Sequence, residues 1–157
     1  MSHPPIARAL GRIPSGLFIV TTSGPAGPIG FLGSFVQQVG FAPPTVAVAV
    51  GKDRDHLAGM RESGHFAVSV LDAGSKHAMP PFFGKLEPGR TPFDVLAHRL
   101  TEEGPAILED ALAWFVCRVS GEHELGDHVV VFGEVVAGDL AREGDPSVHL
   151  RKNGLSY

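Results

Sequence analysis

Cysteine is nearly absent. The one residue, Cys117, excludes a disulfide within the chain, and its place in the apolar run WFVCRV marks it as a small buried hydrophobe rather than a reactive thiol. Charge is also sparse: 19% of residues are charged, and the net charge is −4. That balance argues against a generic binder of nucleic acid or anionic membranes. No stretch approaches the roughly 20 apolar residues of a membrane span. The opening MSHPPIARALGRIPSG lacks the long apolar core of a signal peptide. These absences predict a cytoplasmic protein. Eight histidines are present, yet none forms an HExxH pair, and His123 and His128 lie in a Gly-containing segment rather than on one helix face, so no metal site is expected. No Gly-rich loop of the GxGxxG or GxxxxGK[ST] type occurs, which disfavours a Rossmann domain or a P-loop NTPase.

What the chain does have is punctuation. Its 157 residues, read as one domain over 1–157, include 20 Gly and 13 Pro, a frequency that suits short strands and turns. Residues Ile6 to Ile13 read as a short helix before Pro14. LFIVTTS from Leu17 reads as a strand, GPAGP as a turn, and IGFLGSF from Ile29 as a second strand. A loop to Pro43 and Pro44 then feeds a third strand, TVAVAVG. Asp53 can cap a helix on which Leu57 and Met60 share a face and which Gly64 can end. HFAVSVL alternates as a fourth strand, and residues 72–100 read as an irregular functional loop or short helices. ALAWFVCRVS and HVVVFGEVVAGDL predict a long hairpin, and SVHLR a last strand. The expected class is mainly β with some α, an antiparallel barrel with peripheral helices.

Five segments could carry chemistry. In GFLGSFVQQVGFAPP, Gly33 lacks a Cβ and would let a flat ligand lie against the backbone, with Ser34, Gln37 and Gln38 as polar neighbours; the same Gly would equally serve a loop crossing a barrel rim. In GKDRDHL, Lys52 and Arg54 bracket a helix start at Asp53, where free N–H groups and two cations would suit a phosphate; a capped helix with solvated cations is the alternative. Phe82 and Phe83 of PPFFGK would be either core staples or a stacking surface. Asp127 and His128 sit at the mouth of the strand Val129–Phe132, where His128 shares a face with Val130, Phe132 and Glu134. They are either a surface cap or a ligand contact. The tail HLRKNGLSY, with His149, Arg151, Lys152 and Tyr157, would fray or close over a site.

Taken in order, ALGRIPSGLFIVTT, GFLGSFVQQVGFAPPTVAVAV, GKDRDHL, FFGK, GDHVVVFGEV and HLRKNGLSY resemble the flavin reductase-like family of FMN-binding split β-barrels. Within it, the FFGK, GDH and RKNGLSY segments are similar to the flavin reductase module of cyanobacterial flavodiiron proteins. The resemblance implies an antiparallel split β-barrel of the FMN-binding type, a homodimer with FMN (FAD as a variant) near its interface, and NADH or NADPH as reductant. It implies that Gly33, Ser34, Phe35, Val36 and Gln38 border the flavin ring, and that Gly51, Lys52, Asp53 and Arg54 form the phosphate loop. Phe83, Lys85 and Arg151 would complete the cofactor contacts, and His128 would be the catalytic residue facing the nicotinamide. Many relatives carry more hydroxyls where this chain has Leu32-Gly33-Ser34-Phe35, so backbone N–H groups would do more of the binding here. The implied activity is an NAD(P)H-dependent flavin reductase serving an oxygenase or another electron acceptor. Two other readings stay open on the residues: an FMN-binding electron-transfer or storage module, and a split barrel for haem or pyridoxal phosphate.

Overall fold

The structure, a computed structural model, describes residues 2–157. Nine strands and three α-helices follow one another. They are α1 (Pro5–Leu10), β1 (Phe18–Gly24), β2 (Gly27–Gly33), β3 (Val36–Phe41), β4 (Pro44–Gly51), α2 (Asp55–Ser63) and β5 (His65–Val70), then α3 (Pro92–Val95), β6 (His98–Leu100), β7 (Ala106–Leu108), β8 (Ala113–Leu125) and β9 (His128–Leu140). Seven strands form one antiparallel sheet in the order β2-β1-β5-β8-β9-β4-β3, and β6 pairs with β7 alone.

The order has a geometric consequence. β2 and β3 are the two outer edges of the sheet, yet only Ser34 and Phe35 separate them in the chain. The three Cα steps from Gly33 to Val36 reach at most about 11 Å. The sheet must therefore curl until its edges meet at this end, and Phe35 O completes the approach by accepting the N–H of Ala49 on β4 at 3.0 Å. The result is an antiparallel barrel split along the β2–β3 seam.

Alternation fills the barrel. On β4, Val46, Val48 and Val50 point inward, and Val129 and Val131 of β9 do the same beside them. Val20, Phe31, Phe66, Val68 and Cys117 join this core, and Leu57 and Met60 of α2 close over it. Gly64, at φ +73°, ends α2 by donating its N–H to Met60 O, since a left-handed cap suits a residue without a Cβ. A second cluster around Leu17, Ile19, Leu71, Phe93 and Leu108 packs the connection between β5 and β8. That connection, predicted as irregular, folds into two 3-10 turns (Ala73–Ala78 and Pro80–Phe83), α3 and the β6–β7 pair. Arg142 pins its start by donating to the Asp72 carboxylate at 2.6 Å.

Three expectations needed correction. The segment before Pro43 is not a loop but the strand β3; its periodicity was hidden because it is an exposed edge with an irregularity between Gln38 and Gly40. Asp53 does not cap α2: the N-cap is Arg54, with no side-chain cap bond. SVHLR is not a strand, since only Ser15 and His149 bridge. Val148 and Leu150 are exposed there.

Candidate functional site

The seam is where the side chains of interest gather. A cavity opens along Gly33, Ser34, Phe35 and Val36, under Arg54 of the β4–α2 loop and Tyr157 of the tail. Two further hollows meet it. One, of about 320 Å³, runs between Leu32, Leu17, Met79, Phe82 and Phe83 on one side and Arg151 on the other. The second, of about 620 Å³, lies between Gly51, Lys52, Asp53 and Arg54 and the Asp127–His128 turn. Arg54 and Tyr157 line all three, so they stand at the junction.

Local sequence explains each placement. Gly33 ends β2 with its missing Cβ over the Phe31 ring, which a methyl would approach to 3.1 Å. Among the described residues, the N–H groups of Ser34 and Phe35 have no acceptor, because the chain there has left one edge and not yet joined the other. Unpaired main-chain donors at a surface seam are free to meet a ligand. The Arg54 guanidinium lies 5.4 Å from the centre of the Phe31 ring, and that of Arg151 lies 4.7 Å from the centre of Phe35; neither has a carboxylate partner among the described residues. Below Arg54, His56 bonds Gly30 O through Nε2 while its buried Nδ1 has no partner. Burial holds its pKa below the usual histidine value, so the ring is neutral.

The opposite wall is a chain of three polar groups. The turn at Gly126 and Asp127 hands the strand to His128, which pairs with Gly51 across β4 and β9. Asp127 Oδ1 lies 2.7 Å from His128 Nδ1, and Tyr157 OH lies 2.6 Å from Nε2. The carboxylate only accepts, so Nδ1–H donates to it; in the neutral ring Nε2 then accepts the tyrosine O–H. The bond to His128 holds the Asp127 pKa below the usual carboxylate range. Tyr157 is 75% exposed, and partial covering of its phenol pushes the pKa up, so it stays a donor at neutral pH. Phe35 packs edge-on against His128 at 5.8 Å and tilts against Tyr157 at the same distance.

Of the residues expected at a site, Gly33, Ser34, Phe35, Val36, Gly51, Asp53, Arg54, Phe83, Arg151 and His128 border these joined hollows. Lys52 lies at the rim, where its ammonium pairs with exposed Glu124 of the β8–β9 hairpin. Gln38 sits two pairs beyond Val36 along the exposed edge and donates to Gly40 O at 3.2 Å, outside the cavity lining. Lys85 follows the turn at Gly84 and is exposed outside the lining. Tyr157, expected only as part of a tail that would fray or close over a site, lines all three hollows and meets His128. It is the chain's one tyrosine and lies in a tail with no periodicity, so only its proximity to His128 in space reveals it.

Comparison with known proteins points one way. Residues 10–154 match the model of the flavin reductase like domain. Diflavin flavoprotein A 1 of Synechocystis is 35% identical over 97% of this chain, and the chain spans only 27% of that protein's length. The FMN reductase (NADH) SmoA of Agrobacterium fabrum is 34% identical over 88% of the chain and 76% of its own. Among solved structures, nitrilotriacetate monooxygenase component B from Mycobacterium thermoresistibile is 30% identical, superposes with a TM-score of 0.82, and is matched over 91% of this chain and 79% of that one.

Proposed function

The chain belongs to the flavin reductase-like domain family, and we propose that it is an NAD(P)H-dependent flavin reductase whose seam cavity holds FMN. One observation carries this reading: the unclaimed N–H groups of Ser34 and Phe35 lie between an apolar wall and the free guanidinium of Arg54. An isoalloxazine ring calls for a flat apolar wall and donors along its polar edge, and its phosphate calls for a cation. These residues fit that group. Gly33, Ser34, Phe35 and Val36 would hold the ring edge. Arg54, with the first turn of α2, would hold the phosphate. Phe83 and Arg151 would border the ring's outer side. When bound, the flavin would supply the redox chemistry, taking up reducing equivalents from NAD(P)H for an acceptor.

The protein's part is orientation and exclusion of water. Asp127 fixes the His128 tautomer, and Tyr157 occupies Nε2 at the junction of the hollows. The pair would position the nicotinamide rather than abstract a proton. Anaerobic titration of the FMN-loaded protein with NADH and with NADPH tests the reading. Bleaching of the flavin by either nucleotide is the expected result; a flavin that binds and is not reduced would leave an electron-transfer or storage module. The same reading makes the protein a homodimer, supported by an apolar groove of about 660 Å³ along Phe18, Phe35, Val36, Ala47, Val130 and Val148. A stable dimer would bury more than about 1,000 Å², and a monomer in light scattering at micromolar concentration counts against it. The monooxygenase component in the comparison supports an oxygenase or another flavoprotein as the acceptor.

A further inference from the structure

Charge is distributed very unevenly along this acidic chain. The first acidic residue is Asp53, and after Asp145 there is none. The two ends pack together: Gly154 donates its N–H to Ala7 O at 2.9 Å, and the Arg12 guanidinium donates to Arg151 O at 3.3 Å. One surface therefore collects Arg8 and Arg12 of the α1 segment with Arg151 and Lys152 of the tail. None of them pairs with a carboxylate among the described residues. Arg8, Arg12 and Lys152 frame an open hollow of about 610 Å³ with Pro5 and Ala9. Exposed aliphatic side chains occur on the same two segments: Ile6, Leu150 and Leu155 are each more than half exposed.

We propose that this face is a docking surface for a separate protein with a carboxylate-rich patch, the electron acceptor of the flavin site; the acceptor's role rests on the reductase reading above. Three features select this partner. A basic face on a chain of net charge −4 steers an acidic surface toward it and repels a basic one. Exposed aliphatics on the same segments as the cations suit a protein interface better than a small anion, which needs only the charges. The face also adjoins the cavity, since Arg151 shows its backbone to Arg12 and its guanidinium to Phe35. A protein seated on α1 would therefore rest against the tail that carries Tyr157.

The test separates binding from turnover. A fluorescein-labelled polyglutamate peptide is titrated with the FMN-loaded wild type, with R8E/K152E, and with the control K76E/R90E, which changes net charge equally elsewhere. R8E/K152E should weaken binding about tenfold at low salt, the control less than twofold, and rising salt should erase the difference. Equal losses in both variants would mean bulk charge alone and would overturn the proposal. Displacement of the peptide by ADP-ribose would assign the face to a nucleotide, and a change of mass in R8E/K152E by light scattering would assign it to a second copy; either result overturns it. A second measurement follows NADH-driven reduction of acidic cytochrome b5 and basic cytochrome c. R8E/K152E should slow the first and not the second, with FMN reduction itself unchanged. If wild type fails to reduce FMN, the reductase reading falls while the peptide titration still decides the docking surface.

Discussion

Tyr157→Phe removes one O–H and leaves the ring. The lost bond is the 2.6 Å contact between Tyr157 OH and His128 Nε2. Such a bond contributes about 0.5–1.5 kcal/mol net, which is about two- to twelvefold in a rate or an affinity. The ring's packing against Phe35 survives, so the tail should stay in place and FMN affinity should change less than about twofold. His128→Ala should slow reduction by a similar factor, rising toward about a hundredfold where the rings are displaced. The double variant decides whether the two act as a unit. Stopped-flow reduction of bound FMN by NADH, measured for both singles and the double, should give a double effect well short of the product of the singles. Fully multiplicative effects would refute the coupling. The pH profile adds a second check. The Asp127 pKa lies below and that of Tyr157 above its ordinary value, so neither group should impose a rate change between about pH 5 and pH 9. A tyrosine-dependent fall as pH rises toward about 9 would contradict the donor role.

Arg54→Ala should weaken FMN binding about tenfold or more, from one charge-assisted contact of roughly 1.5–3 kcal/mol, and should barely affect riboflavin. Lys52→Ala should do much less, because Glu124 already holds that ammonium; fluorescence titration of the four combinations checks both. Gly133→Ala should lower stability by about 1–3 kcal/mol, since the new methyl would stand 2.5 Å from Cys117 Cβ and 2.7 Å from the Phe66 ring in the barrel interior; an unchanged Tm would refute that packing. Cys117 should resist thiol reagents until the protein unfolds. Burial raises its pKa from 9.0 to about 12. Above pH 9 the unfolded thiol ionises while the folded one stays protonated, so its linkage lowers stability as pH rises from about 9 to 12; a denaturant series across that range reads the sign.

The sequence showed most of the barrel because its core strands alternate or run apolar without a break. Val46, Val48 and Val50 are separated by small residues, and His128 begins a strand whose inward positions are Val129 and Val131. It hid β3 because an edge strand with Gln37, Gln38 and Val39 all exposed carries no inside–outside signal. The same physics divides the site. Gly33, Arg54 and His128 stand at strand or helix ends, where local sequence fixes position. Lys52 belongs with them by spacing, yet a carboxylate 72 residues away decides where its charge goes. Tyr157 reaches His128 across 29 residues of chain, and no local pattern encodes that contact.

Seam and site have one cause. A sheet that closed fully would pair every edge N–H, and an open sheet would leave them spread along two distant strands. Joining the two edges through only Ser34 and Phe35 does neither. It brings the edges together at one end and leaves two adjacent donors unclaimed there, within reach of the β4–α2 loop that carries Arg54. Lengthening the link removes the constraint. Two Gly inserted after Ser34 should leave the β1–β5–β8–β9–β4 pairing intact, because none of those strands depends on the link, but should let β3 drift from its register on β4. The insertion should then lower FMN affinity far more than it lowers Tm. A variant that loses both in proportion would show that the link holds the barrel together and that the donors there are incidental to it.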